Sequence, residues 1–293
     1  MYTKMRIVTS MQNYSDKIAK AKELIRQADR VIIGIGAGLS AAGGLCYGDP
    51  ALGLKWYPEY HGMGLKTIGQ IMGNYWDLRQ CKAESYWGFW GQHIWHMRYE
   101  AEATAPYLDL HRIVSEKDYF ICTTNVDSQV EKAGFDLARI FAPQGNYGYF
   151  QCSEPCSNDL YDNQDMIHTM LRNMPNPFDI RAEDIPLCPR CERPLIPNLR
   201  SDQRFVEKPH LLLAPEYEDF VMQGQNENTL FLELGVGYNT PVIIRFPFET
   251  LTNHFANAHL IRINNSDGDV PKEIASKSIC IQEDLAKALH DLI

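Results

Sequence analysis

The chain is predicted to form an α/β fold, a Rossmann-like open parallel sheet wrapped by helices, with a smaller cysteine-bearing module and a helical insertion. Three observations predict it. A short β-branched apolar run, Val31-Ile32-Ile33-Gly34-Ile35, opens onto a turn rich in glycine and alanine, as a strand buried on both faces of a parallel sheet does. The same rhythm of strand, polar turn and helix returns at YFICTTNVD, LFLELGVGYN and HLIRINN. Where that rhythm stops, four cysteines gather as CSEPC and CPRC.

Taken in order, Asn13 or Ser15 is placed to cap a helix running to about position 27, because Ile18, Ala21, Leu24 and Ile25 recur at helical spacing among Lys and Glu. The strand at 31–35 follows. Region 46–100 reads as a helical insertion and holds all five tryptophans, Trp56, Trp76, Trp87, Trp90 and Trp95; aromatics at helical spacing are assigned to packing. A helix is expected over 107–115 after Pro106, then a strand over 119–123 and a helix opening in TTNVDSQVEKAG. Residues 150–206, rich in Asn, Asp, Pro and Cys, read as a separate module, so that 1–149 and 207–293 make up the sheet domain.

At 293 residues and 45% hydrophobic, the chain has enough apolar content for a large core. Its net charge of −9 and the lack of a Lys/Arg run argue against nucleic acid or an anionic membrane as partner. The first twenty residues carry no signal-type apolar core, and no stretch reaches eighteen consecutive apolar residues, so a soluble, cytoplasmic protein is expected.

In GIGAGLS, the small residues Gly34, Gly36 and Gly38 follow a strand and precede a helix-compatible stretch. Two readings compete there: a diphosphate approaching backbone N–H groups, or tight strand-to-helix packing. Cys152 and Cys156 form a C-x3-C pair, and Cys188 and Cys191 a C-x2-C pair. Four thiolates suit a closed, structural, tetrahedral Zn²⁺, against the alternative of free or redox-active thiols. Cys46, Cys81, Cys122 and Cys280 are read as buried small hydrophobes.

With these pieces in order, the chain resembles the sirtuins, NAD-dependent deacylases and ADP-ribosyltransferases. GAGLSAAGGL is similar to their GAGxSxxxGI loop, APYLDLHRIV to their Pro-x3-His helix, and TTNVDSQVEKAG to TQNIDxLxxxAG. GVGYNTP stands near GTSLxVxP, RINN near LIN, and the cysteines lie where the family keeps its zinc. The resemblance implies that Gly36, Ala37, Gly38, Ser40 and Ala41 lie along the NAD diphosphate. It implies that Asn125 and Asp127 hold the nicotinamide ribose, and that Gly235, Gly237, Asn239, Asn264 and Asn265 surround the adenosine. Asn side chains donate and accept, which suits ribose hydroxyls; a plain helix cap is the other reading of Asn125 and Asp127.

The departures are informative. The family's base, a histidine followed by glycine, is matched by Gln144-Gly145, and glutamine has no basic form near neutral pH. Its PDFR is replaced by Cys46-Tyr47-Gly48-Asp49, and its RPxVVxFGE by KPHLLLAPEYED, residues 208–219. Asp49 either replaces a lost acid or is a loop residue. Gln144 in that setting is similar to the macrodomain-linked, class M sirtuins. That subgroup implies mono-ADP-ribosylation with Asn125 and Gln144 as catalytic residues. It also implies a lipoyl-carrier acceptor like the glycine cleavage H protein, and a partner macrodomain hydrolase. Two alternatives stand beside it: a deacylase using His61, His111 or His210 as base, and a silent NAD-binding module.

Overall fold

The computed structural model describes residues 6–8 and 13–293. Most of the amino-terminal stretch judged for a signal-type core therefore lies outside the described residues. β1 (Arg6–Val8) precedes α1 (Tyr14–Gln27), and Asn13 caps that helix, its side-chain oxygen accepting from the Asp16 N–H at 2.8 Å. β2 (Arg30–Ile35) and α2 (Ala37–Ala42) follow. The expected helical region holds α3 (Pro50–Trp56), α4 (Pro58–Gly62), α5 (Ile68–Asn74) and α6 (Ala83–Ile94), which runs into a π-helical turn, Trp95–Glu100. α7 (Ala105–Val114) carries Pro106 in its first turn, where a missing N–H costs nothing.

β3 (Asp118–Thr123), α8 (Gln129–Lys132) and β4 (Ile140–Phe141) come next. β5 (Gly145–Cys152), β6 (Tyr161–Asp162), α9 (Gln164–Asn173) and β7 (Leu195–Leu199) build the cysteine-bearing part, with β5 running across position 150. The chain closes with α10 (Ala214–Gln223), β8 (Thr229–Leu234), α11 (Arg245–His254), β9 (His259–Ile263), β10 (Asp269–Pro271), β11 (Ser278–Ile281) and α12 (Leu285–Leu292).

Six strands form one parallel sheet in the order β11-β9-β8-β2-β3-β4. Because side chains alternate along a strand, β2 sends Val31, Ile33 and Ile35 into a core shared with α1, α7 and α12, and Ile32 into a core shared with α10 and α11. Burial of both faces explains why the run lacks polar alternation.

The third core is the second lobe. Tyr57, Tyr60, Trp87, Phe89 and Trp90 of the helical region pack in one cluster with Phe150, Cys152, Ile167, Met170 and Cys188. The helical insertion and the cysteine module are thus one packed unit, with β5, β6 and β7 as its three-stranded sheet. The packing assignment fails at one tryptophan. Trp76 is 48% exposed, with one ring edge against Trp90 at 6.0 Å, because it sits in an inter-helix loop on the rim of a cavity of about 310 Å³. Cys122 and Cys280 are buried as expected; Cys46 and Cys81, on loops, are only half-buried.

Candidate functional site

The sheet reverses its winding between β2 and β8: from β2 the chain builds outward to β3 and β4, and from β8 to β9 and β11. In such sheets ligands bind outside the carboxyl ends of the strands at that switch. The predicted residues fall there. Gly36, Ala37, Gly38, Ser40 and Ala41 follow β2, Asn125 and Asp127 follow β3, Gly235, Gly237 and Asn239 follow β8, and Asn264 and Asn265 follow β9. A cleft of about 400 Å³ opens over the first two loops, bounded by Ala37, Gly38, Ser40, Ala41, Asn125 and Asp127, with Tyr47, Met97 and Tyr147 across from them.

The centre of this cleft is a directed hydrogen-bond chain. Asn125 Nδ2 donates to the Gly36 carbonyl at 3.0 Å and to the Tyr107 hydroxyl at 2.9 Å. Ser40 Oγ donates its only proton to Asp127 Oδ2 at 2.6 Å, so Tyr107, at 2.8 Å from Ser40 Oγ, is the donor to it. The order is Asn125 amide, Tyr107, Ser40, Asp127. The carbonyl partner fixes the amide's orientation, since two oxygens without a proton between them repel. Asn125 Oδ1 has no hydrogen-bond partner among the described residues and remains the open acceptor.

Asp127 is buried; burial pushes its carboxyl above the usual range, opposed by the Ser40 hydroxyl. Its Oδ1 also accepts from the Gln129 N–H at 3.1 Å, so the helix-cap reading and the site reading both describe this residue. Ser128, next to it, holds φ +63°, a left-handed conformation that costs a non-glycine residue about 1–3 kcal/mol and clusters at functional sites. That turn directs Asp127 back to Ser40.

The glycine-rich turn answers to both of its readings. A Cβ on Gly36 would stand 2.6 Å from the Gly235 carbonyl oxygen, and one on Gly38 2.7 Å from Gly235 Cα. Gly38 N–H donates to that carbonyl at 3.0 Å, and Gly235 itself holds φ +61°. Backbone meeting backbone explains these glycines, while Ala37, Gly38, Ser40 and Ala41 still face the cleft. On the β9 side, the Asn264 side chain holds the following turn, donating to the Val236 carbonyl at 3.1 Å and accepting from the Ser266 N–H at 3.0 Å. Asn239 and Asn265 are exposed, and Gly237 is half-buried.

Gln144 is half-buried at the entry to β5, its carbonyl accepting from the Arg200 N–H at 3.0 Å. Its side chain is not among those bounding the cleft, whereas Tyr147, three residues on, is. No histidine bounds the cleft among the described residues. His111 packs edge-on against Phe135 at 4.9 Å, and His210 bonds to Asn198 Oδ1 and is driven down to about 4 by burial. His61 is on α4 in the second lobe. Asp49 caps α3, accepting from the Ala51 N–H at 2.9 Å. Segment 208–219 forms a 3-10 turn, Lys208–Leu211, and the start of α10.

The sequence reading passed over Tyr107, although APYLDLHRIV contains it, and over Tyr47 and Tyr147. It also missed His93, a fully buried residue in an aromatic run with no local mark of function.

Cys152, Cys156, Cys188 and Cys191 converge with all four Sγ atoms within 4.8 Å, and the Cys152–Cys191 and Cys156–Cys188 pairs are each 3.6 Å apart. A tetrahedral site with Zn–S bonds of about 2.3 Å has edges of roughly 3.8 Å, so the donor set fits a structural zinc. The second knuckle turns through Glu192 at φ +60°, with its N–H donating to the Cys188 carbonyl at 2.8 Å.

No family model matches the chain. It is similar to a protein ADP-ribosyltransferase of Staphylococcus aureus, 30% identical over 94% of this chain and 88% of the relative. It is also similar to a probable bifunctional ADP-ribose hydrolase/ADP-ribosyltransferase of Fusarium oxysporum f. sp. cubense, 28% identical over 94% of this chain and 47% of that longer protein. Among solved structures, Sir2Tm bound to a propionylated peptide superposes with a TM-score of 0.57 at 16% identity, covering 94% of this chain and 96% of that one. A structure described under the mechanism and regulation of Sir2 enzymes superposes with 0.57 at 19% identity, covering 95% and 98%. At such identities the likeness establishes the fold.

Proposed function

Since the chain belongs to the sirtuin-type protein ADP-ribosyltransferases, we propose that it is an NAD-dependent mono-ADP-ribosyltransferase that releases nicotinamide and moves ADP-ribose onto a protein acceptor. One observation carries the choice of transfer over deacylation: a fixed amide, Asn125, presents an open acceptor oxygen in a cleft that no histidine bounds among the described residues.

NAD supplies an activated bond between the ribose C1′ and the nicotinamide ring nitrogen. Asn125 Oδ1 takes a ribose hydroxyl as donor, and the chain through Tyr107 and Ser40 to Asp127 keeps that oxygen aimed. Ala37, Gly38, Ser40 and Ala41 receive the diphosphate, and Gly235, Gly237, Asn239, Asn264 and Asn265 the adenosine side. Gln144 orients by hydrogen bonding and takes no proton. Loss of a general base lowers a base-dependent step by roughly 10²- to 10⁴-fold, whereas attack on C1′ by an acceptor nucleophile proceeds without an enzymic histidine. The four cysteines hold a structural zinc that keeps the second lobe packed.

The acceptor class proposed is a lipoyl carrier like the glycine cleavage H protein, on the resemblance of the Gln144 signature alone. A macrodomain-type hydrolase is the proposed partner that removes the mark; the fungal relative, named as both hydrolase and transferase, supports pairing the two activities. Incubation with labelled NAD and purified candidate carriers, with free nicotinamide followed in parallel, tests this. Label on the carrier together with nicotinamide release is expected. Loss of acyl groups from an acylated peptide with no label on protein overturns it.

A further inference from the structure

His93 lies at the meeting point of four segments. Its Nε2 is 3.2 Å from the Tyr47 hydroxyl and 3.1 Å from the Tyr147 hydroxyl, and its Nδ1 is 3.2 Å from the Tyr57 hydroxyl. Tyr47 and Tyr147 bond to each other at 2.7 Å, and both bound the cleft opposite Asn125. The imidazole is 0% exposed, stacked on Phe89 at 5.4 Å and edge-on to Trp90 at 5.7 Å. Tyr147 also donates its N–H to the Val126 carbonyl at 3.0 Å, which clips β5 to the segment holding Asn125 and Asp127.

We propose that His93 is a positioning residue for the transfer reaction, holding the Tyr47–Tyr147 hydroxyl pair as a second polar wall of the cleft that hydrogen-bonds the uncharged ribose or carboxamide end of the nucleotide. The proposal rests on the transferase reading above. The chemistry of the wall selects that end. Burial keeps the two phenols protonated and drives the imidazole down to about 3, so the cluster is neutral. No Lys or Arg is bonded to it among the described residues, which leaves nothing to compensate a phosphate. A pair of hydroxyls that both donate and accept matches a sugar hydroxyl or an amide. Without the imidazole each phenol has one fixed partner fewer and rotates about its ring axis, so alignment with the ligand is lost while the aromatic packing remains.

The test compares wild type, His93→Phe, His93→Gln and Tyr47→Phe, each checked for zinc content and thermal melting, by calorimetric titration with NAD and by single-turnover nicotinamide release. Loss of one aligned hydrogen bond predicts about tenfold weaker NAD binding for His93→Phe and for Tyr47→Phe. Recovery to within about threefold of wild type is expected in His93→Gln, which restores a donor and an acceptor. The His93→Phe/Tyr47→Phe double variant is expected to be no weaker than either single one, because both remove the same contact.

A folded His93→Phe with wild-type NAD affinity and release rate overturns the proposal and leaves the transferase reading intact. So does additivity in the double variant. Wild type that neither binds NAD nor releases nicotinamide overturns both. If His93→Phe does not fold, Tyr47→Phe and Tyr147→Phe decide: unchanged NAD affinity in both removes the wall.

Discussion

Glu233 of β8 and Arg262 of β9 face each other in the parallel register and are both fully buried, joined by two bonds, Nε to Oε1 at 2.6 Å and Nη2 to Oε2 at 2.8 Å. Arg262 Nη1 also donates to Glu249 at 3.1 Å and to the Asp269 carbonyl, and Arg245 donates to Asp269 at 2.9 Å and to the Val236 carbonyl at 3.2 Å. This network ties β8, β9, α11 and β10 beneath the turn that carries Gly235. Removing one partner strands the other charge, which costs about 3–5 kcal/mol. Glu233→Ala is therefore expected to lower urea stability by that amount and Glu233→Gln by less, both read from denaturation curves with unchanged slope.

Asn125→Ala is expected to abolish ADP-ribosylation while zinc content and melting temperature stay within error of wild type. Its amide is held on the surface of the cleft and contributes no apolar packing. Ser40→Ala breaks the chain one link further back, leaving Asn125 in place but Tyr107 without its acceptor. A loss of one buried hydrogen bond, about 1–3 kcal/mol, predicts transfer reduced roughly 10- to 100-fold at unchanged zinc content. Initial rates of nicotinamide release on both variants check the order; Asn125→Ala retaining wild-type rates contradicts the placement of the ribose.

Zinc removal is expected to unfold the second lobe ahead of the sheet domain. Cys152 and Cys188 belong to the aromatic core that joins the helical region to β5, and the thiols bring residues 152 and 191 together. Chelation should release one zinc per chain, and tryptophan fluorescence should shift red first, since all five tryptophans are in that lobe. A cooperative loss of all structure in one step, with no early fluorescence change, counts against two separable units.

Much of this was legible in the sequence because it is local. The β2 run, the Asn13 cap and the cysteine spacing each depend on residues near one another, and each is where the pattern puts it. The glycines were visible but not their reason, since the backbone they meet, Gly235, arrives from two hundred residues away. The Glu233–Arg262 pair looked like two polar interruptions in separate strands; only the register makes them partners. Tyr107, Tyr47, Tyr147 and His93 were hidden for the same cause. Each is an ordinary aromatic or buried residue along the chain, and its role exists only once four segments converge.

His93 also makes a pH prediction whose sign follows from burial. The imidazole titrates near 6.5 in the unfolded chain and about 3 in the folded one, with burial the main cause and His96 adding to it. Between those values the unfolded state holds a proton that the folded state does not, so stability rises with pH across that window and is lost as pH falls below about 6.5. The groups around it, Tyr47, Tyr57 and Tyr147, stay protonated throughout and do not offset the effect. By pH 5 the loss from this one site is about 2 kcal/mol. His210, driven down to about 4, acts in the same direction. Urea titrations of wild type and His93→Gln at pH 5.0, 6.0 and 7.5 should therefore show a shallower acid loss in the variant, with the remainder set by His210 and the carboxylates. Parallel curves for the two proteins would mean that His93 carries a proton inside the fold, and the neutral hydroxyl wall would then be a charged one.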